Sequence, residues 1–358
     1  MKKLQETLNK IKPIDTKLLE KTQKRLDNLT KPLGSLGRLE ETAKKVTAVT
    51  GKDKNILNKK MVFTLAADHG IVEEGVSAYP KEVTPQMVYN FLSGGAGINV
   101  LSNHIGAEVT VVDMGVAVVI QCLNSKNQNF KDKKIALGTK NFAKGPAMTR
   151  EDAIKSIETG IELSEEAIKN GVNLIATGEM GIGNTTPAAA ITSVICNEIP
   201  EKVTGRGTGI TDKFLQVKIN VIKEGIKVNK PNPHDGLDVL SKIGGFEIGG
   251  MAGIMLGCIA NNVPVIIDGF ISGSAALIAA ALKPEIKDYL IAGHCSQEPG
   301  HKIQLQWLGL KPLLDLDLRL GEGTGAALAM NIVDASCKIL NEMATFESAG
   351  VSQKDDNK

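Results

Sequence analysis

From Lys60 onward the chain repeats one device: a short apolar run, a turn bearing glycine, then a stretch with helical spacing. The runs are Met61 to Ala67, Glu108 to Asp113, Val172 to Thr177, Val263 to Asp268 and Tyr289 to Gly293, and Leu314 to Leu320 reads as a further edge strand. A strand that is apolar throughout must be covered on both faces, and strands alternating with helices build βα units on a parallel sheet. The fold class is therefore α/β, an open, mostly parallel sheet flanked by helices.

The first 58 residues carry no strand signal. Leu18, Leu19, Leu26 and Leu29 share one helical face, and Leu39, Ala43, Val46 and Val49 share another after the break at Lys31-Pro32-Leu33-Gly34. Between the second and third runs, Thr149 can cap a helix with Asp152 at the capping-box position, Ile154, Ile157, Ile161 and Ile168 fall on one face, and Asn170-Gly171 ends it. A last helix is expected from Ala326 to about Thr345, and the polar tail SAGVSQKDDNK should fray. These patterns divide the chain into a helical segment over 1–58, a large α/β unit over 59–324 and a C-terminal helix with its tail over 325–358.

A formal charge of +2, with few aromatic residues and no basic stripe, argues against nucleic acid as a partner. The N-terminus lacks the continuous apolar core of a signal peptide, and no run reaches the ~18 apolar residues of a membrane span, so a cytoplasmic protein with no membrane partner is expected. Cys122, Cys196, Cys258, Cys295 and Cys337 lie far apart without a CxxC, and the five histidines are scattered, with His294 and His301 the closest pair. Small core thiols and no metal site are expected.

Chemistry gathers where the strands end. The turns are Asp68-His69-Gly70, Asp113-Met114-Gly115, Gly178-Glu179-Met180-Gly181, Asp268-Gly269-Phe270 and His294 to His301. Any one of them could be an ordinary βα connection, since Asp and Gly are common there. In an open parallel sheet, however, all such ends share the edge where ligands bind, so a single large site is expected. The segment Gly178 to Pro187, leading into a helix over Ala188 to Thr192, offers glycines, hydroxyl and amide groups and free N–H groups to a phosphate. It has no P-loop lysine and no GxGxxG spacing. Leu320-Gly321-Glu322-Gly323-Thr324-Gly325 frames a lone carboxylate that either caps its own helix or reaches into a cleft. Gly205 to Gly209, with Thr211-Asp212-Lys213, adds a flexible turn with cations.

Taken in order, KPLGSLGRLE, DHGIVEEGVSAYP with VTPQMV, GEMGIGNTTPAAA, GRGTGITD, DGFISGSAAL, HCSQEPGH and LGEGTGAA resemble the nicotinate-nucleotide:dimethylbenzimidazole phosphoribosyltransferase family, from about Lys31 to the final helix. The resemblance implies a Rossmann-like domain, a small all-helical accessory domain drawn from both chain ends, a homodimer and catalysis with neither cofactor nor metal. It implies Glu322 as the proton acceptor and Glu179 as a second acid near the ribose. Gly181, Gly183, Asn184, Thr185, Thr186 and Lys213 are then phosphate or ribose contacts, and Tyr79, Gln86, Met180 and Leu320 candidates for the aromatic base pocket. The substrates implied are nicotinate mononucleotide and a benzimidazole. Two rival readings are weaker: a nicotinamide-cofactor oxidoreductase lacks its first-strand GxGxxG, and a non-catalytic nucleotide sensor leaves the glycine-framed Glu322 without a role.

Overall fold

The structure, a computed structural model, describes residues 1–121 and 129–352. Cys122 and the end of the polar tail lie outside them. Three helices precede the first strand: α1 (Lys2–Lys10), α2 (Thr16–Asp27) and α3 (Arg38–Thr50). Then come β1 (Lys60–Ala67), α4 (Val83–Leu92), α5 (Gly97–Ile105), β2 (Ala107–Gly115), β3 (Phe130–Asp132), α6 (Arg150–Lys169) and β4 (Leu174–Met180). A run of helices follows: α7 (Thr185–Ile195), α8 (Pro200–Val203), α9 (Asp212–Asn229), α10 (Gly236–Ile243) and α11 (Phe246–Ala260). The chain closes with β5 (Val265–Ile267), α12 (Phe270–Leu282), β6 (Ile291–Ala292), α13 (Pro299–Leu308), α14 (Thr324–Glu342) and α15 (Phe346–Ala349).

The six strands lie in the order β3-β2-β1-β4-β5-β6, and every pairing is parallel. This is the doubly wound order in which the chain reverses direction across the sheet between β1 and β4, leaving a crevice beyond their carboxyl ends. β1 is buried along nearly all its length, as its unbroken apolar run requires. One face of the sheet packs under α6, α7, α11 and α12, with Phe63, Leu65, Ile157 and Met251 in the core. The other packs under α4, α5 and α14, with Val62, Ala66, Ile98 and Met330. Helix α6 begins as its sequence demands: the Thr149 hydroxyl accepts from the Asp152 N–H at 3.0 Å, and the helix stops at Asn170.

The N-terminal helices go to two places. Leu4 and Ile11, on and just after α1, join the core under α6 and α11, and the Leu4 N–H donates to Glu158 at 3.0 Å. Helices α2 and α3 instead pack with α14 around Leu26, Leu29, Ala43 and Leu340. The Lys-Pro-Leu-Gly break between them is pinned by a buried Lys31–Glu40 ion pair at 2.8 Å.

Besides β3, which no apolar run announces, two segments depart from the sequence expectation. The Leu314–Leu320 segment forms no strand; its one ladder contact is a single parallel bridge from Leu314 to His294. Asp317 takes φ 57°, which breaks the extended backbone a strand needs. The tail's start is held rather than frayed, because Thr345 caps α15 and the Phe346 N–H donates to Asn28 O at 3.1 Å.

Candidate functional site

β4 delivers Glu179 to the crevice and then turns into α7 through Gly181 to Asn184. The turn closes on its own backbone, Asn184 N–H donating to Gly181 O at 3.1 Å and Thr186 N–H to Gly183 O at 3.0 Å. The helix starts at Thr185, earlier than the expected Ala188. Asn184 Nδ2 donates to the Glu179 carboxyl, which is 6% exposed. Burial, then the charges of Asp268 and Glu247, raise the Glu179 pKa to about 8, so near neutral pH it is mostly protonated.

Glu322 stands opposite. Gly321, Glu322 and Gly323 have φ of 85°, 65° and 99°, three left-handed residues in succession. For a residue with a side chain this is uncommon, and it persists only where the surroundings impose it. Here they do. Thr64 Oγ1 of β1 donates to Glu322 O at 3.0 Å, and that oxygen lies so near Gly178 of β4 that a Cβ there would approach it to 2.1 Å. The side chain does not cap its own helix. Asp268, at the end of β5, takes that duty by accepting from Ala326 N–H at 2.9 Å. Glu322 is thereby free to reach α5, where Oε2 accepts from the Ile98 N–H at 3.0 Å. Burial outweighs this bond and raises the Glu322 pKa, with Asp268 adding to the effect.

The two glutamates line one cavity of about 420 Å³ at the switch between β1 and β4. Of the residues singled out from the sequence, Tyr79, Met180, Gly181, Asn184, Thr185 and Leu320 also line it. Four do not. Gly183 shapes the turn and packs at Val72. Thr186 is fully buried, with its hydroxyl unpartnered. Lys213 is exposed on the first turn of α9, and Gln86 is exposed on α4, which turns Val83 and Met87, one helical turn apart, to the cavity instead.

The cation near the turn is Lys218. It is 1% exposed, and its ammonium donates to Thr185 Oγ1 at 2.7 Å and Gly205 O at 3.4 Å. Burial lowers its pKa to about 8 while the Glu298 carboxylate resists. A signal for it existed: Lys218 shares a helical face with Ile222 and Gly225, and a lysine on an apolar face needs a reason. Sequence reading also left Asp268, His294, Ser296, Glu298 and Arg319 unassigned, although all but Arg319 lie in strand-end turns it had marked. His301 stays out of the cavity. Its Nδ1 accepts from the Ser296 N–H at 2.8 Å, and burial, with His294 alongside, lowers its pKa to about 3, so the ring is neutral.

Behind Gly181 lies a buried pair, His69 Nε2 at 2.8 Å from Glu247 Oε1. Burial alone would lower the imidazole pKa, but the Glu247 carboxylate overcomes it and the net shift is upward.

A doubly wound parallel sheet, with a helix N-terminus, a buried lysine and two carboxyls at its switch point, is the class of α/β site suited to a ligand that bears a phosphate. Comparisons with known proteins agree. A family model described as phosphoribosyltransferase matches residues 11–351. A nicotinate-nucleotide–dimethylbenzimidazole phosphoribosyltransferase of Geobacter sulfurreducens is 54% identical, covering 98% of this chain and 99% of its own, and that of Geotalea uraniireducens is 57% identical, covering 99% of each. The crystal structure of the enzyme so named from Thermus thermophilus superposes with a TM-score of 0.89 at 43% identity, covering 95% of this chain and 100% of its own. The chain belongs to the nicotinate-nucleotide:dimethylbenzimidazole phosphoribosyltransferase family.

Proposed function

We propose that this chain is a pentosyltransferase that moves the 5-phosphoribosyl group of nicotinate mononucleotide to 5,6-dimethylbenzimidazole or a related base. The products are nicotinate and the α-nucleotide used as the lower ligand of cobalamin. The observation that carries the reading is the single cavity lined by Glu322, Glu179 and Thr185, with the buried Lys218 ammonium bonded to Thr185 from behind. This cradle meets the phosphate: a threonine hydroxyl, a helix N-terminus and a buried ammonium are the groups a phosphate recruits. The leaving ring is a pyridinium that departs neutral, so no general acid is required. Charge then develops at the anomeric carbon. A cation arriving beside Glu179 favours its ionised form, and the carboxylate so produced stabilises that charge in a site poor in water.

The incoming base attacks through one ring nitrogen and sheds a proton from the other, which Glu322 accepts. A carboxyl whose pKa is raised by burial works nearer the operating pH and is a better general base than an exposed one. Tyr79, Val83, Met87, Met180 and Leu320 supply apolar surface for the base. Attack opposite the departing ring inverts the anomeric carbon and gives the α-product.

The same reading takes the large unit over 59–324 as the catalytic domain and the helices of both chain ends as a small domain. It takes the protein as a cytoplasmic homodimer; no helix among the described residues is long and apolar enough to cross a membrane. Tyr79 and Leu320 are 53% and 61% exposed at the cavity, apolar surface that a second copy would cover. Incubation with nicotinate mononucleotide and 5,6-dimethylbenzimidazole tests the reaction: nicotinate and the α-nucleotide should appear in equal amounts, and release of neither would end the proposal.

A further inference from the structure

Helices α5 and α14 are both capped from elsewhere. Gly323, at the start of α14, has no side chain to bind the free N–H groups of the first turn, and the acid just before it, Glu322, turns away. Asp268, arriving from the end of β5, takes them instead. Its carboxylate accepts from Ala326 N–H at 2.9 Å, and the N–H groups of Gly323 and Gly325 also bear on it. Ala96, at the start of α5, is equally without a capping oxygen, and there Glu322 Oε2 accepts from Ile98 N–H at 3.0 Å. The reach of Glu322 to α5 thus depends on the N-terminus of α14 being already filled.

An unfilled helix N-terminus draws in the nearest carboxylate. Thr64 fixes the carbonyl of Glu322 but not its side chain, whose direction is left for the caps to settle. Glu322 immediately precedes Gly323, so without Asp268 it is the acid next in line. Folding back onto its own helix would carry it off Ile98 and away from the cavity wall at Gly97, which Oε2 now adjoins.

We infer that Asp268 is a positioning residue for the transfer: by occupying the N-terminus of α14 it keeps the Glu322 carboxylate on α5, turned to the incoming base. The inference rests on the phosphoribosyl-transfer reading, and Asp268 acts through Glu322 rather than on the substrate. It acts by charge as well. The titratable groups facing Asp268 are Glu179 from β4, Glu322 from the segment before α14, and His294 from the end of β6 with Nε2 at 3.6 Å. A negative Asp268 opposes ionisation of Glu322. Removing that charge therefore moves to lower pH the acid limb of turnover, along which the base must lose its proton to work.

Asp268→Asn and Asp268→Ala separate the two effects, since both lack the charge and only the first keeps an oxygen for Ala326 N–H. The full chain is assayed for nicotinate release from nicotinate mononucleotide and 5,6-dimethylbenzimidazole, with nucleotide affinity measured by titration calorimetry. Asp268→Asn should stay within about tenfold of the unaltered kcat, with its acid limb at lower pH. Asp268→Ala should fall a further ~10²-fold in kcat, the usual effect of a misplaced group, at the nucleotide affinity of Asp268→Asn. Beside Glu322→Gln the two substitutions should give equal turnover, because the residue through which Asp268 acts is gone. Asp268→Ser, too short to reach α14, takes the place of Asp268→Ala if the latter does not fold. Equal kcat for Asp268→Asn and Asp268→Ala, a gap that persists beside Glu322→Gln, or an unmoved acid limb would each overturn the inference and leave the reaction standing. No nicotinate release from the unaltered chain would remove the functional reading, and the inference with it.

Discussion

Replacing Glu179 with glutamine keeps the side chain's outline and its bond from Asn184 while removing the titratable proton. The carboxyl has a pKa of about 8 in the folded chain against an ordinary value of 4.5, so the folded state binds this proton more tightly than the unfolded one. A group raised in this direction contributes stability that is complete below the unfolded value and is lost as pH climbs through the folded one. At about 1.36 kcal/mol per unit, the wild-type chain should lose about 2–3 kcal/mol from this group between roughly pH 6 and pH 9. Glu179→Gln loses none of it. Guanidinium unfolding of both proteins across that range should therefore show the variant gaining on the wild type by about 2–3 kcal/mol as pH rises. A stability difference that stays constant with pH would refute the claim that Glu179 is buried as a neutral acid, and with it the account of how the arriving cation ionises it.

Glu322→Gln should cut turnover ~10²- to 10⁴-fold, the usual worth of a general base, with nicotinate mononucleotide affinity retained; nicotinate release and calorimetry measure the two separately. Thr185→Ala and Lys218→Met should weaken the nucleotide more than its dephosphorylated nucleoside, whereas Thr186→Val, at a buried hydroxyl with no partner, should leave both affinities unchanged in equilibrium titration. Gly178→Ala would drive a methyl into Glu322 O, so the variant should lose roughly 1–3 kcal/mol in denaturant titration as its neighbours shift, and much of its activity as Glu322 moves.

The sheet was readable because strands buried on both faces must be mostly apolar, and β1, β2 and β4 are, with their charged residues confined to the strand ends. β3 escaped notice because three residues at an edge, Phe130-Lys131-Asp132, carry no such requirement. Leu314 to Leu320 misled for the opposite reason. Its Leu-Asp-Leu-Asp-Leu alternation is a strand pattern, yet the segment crosses the cavity mouth and leaves Leu320 exposed. Within the site, the glycine frame singled out Glu322, whose left-handed backbone admits few alternatives, whereas Glu179, an ordinary strand residue, was named through the family resemblance. Glycine spacing could not choose between Thr185 and Thr186, since the first residue of a helix and the second face different ways. Lys213 was preferred to Lys218 although Lys218 shares the apolar face of Ile222 and Gly225. Both follow the Gly205 to Gly209 turn, which drew attention to the nearer lysine, and the packing of α9 against α7 buries the farther one.

The carbonyl of Glu322 is gripped by β1 and β4 together, whereas Val83 and Met87 stand on α4, outside the sheet. On the proposed reading, the α4 share of the ring-recognition surface is thus mounted apart from the proton acceptor, while Leu320 and Met180 stay beside it. If Glu322 is the proton acceptor proposed above, variation at Val83 and Met87 would retune which heterocycle is welcomed without loosening it, leaving descendants of such a scaffold free to diverge in taste while keeping a common reaction.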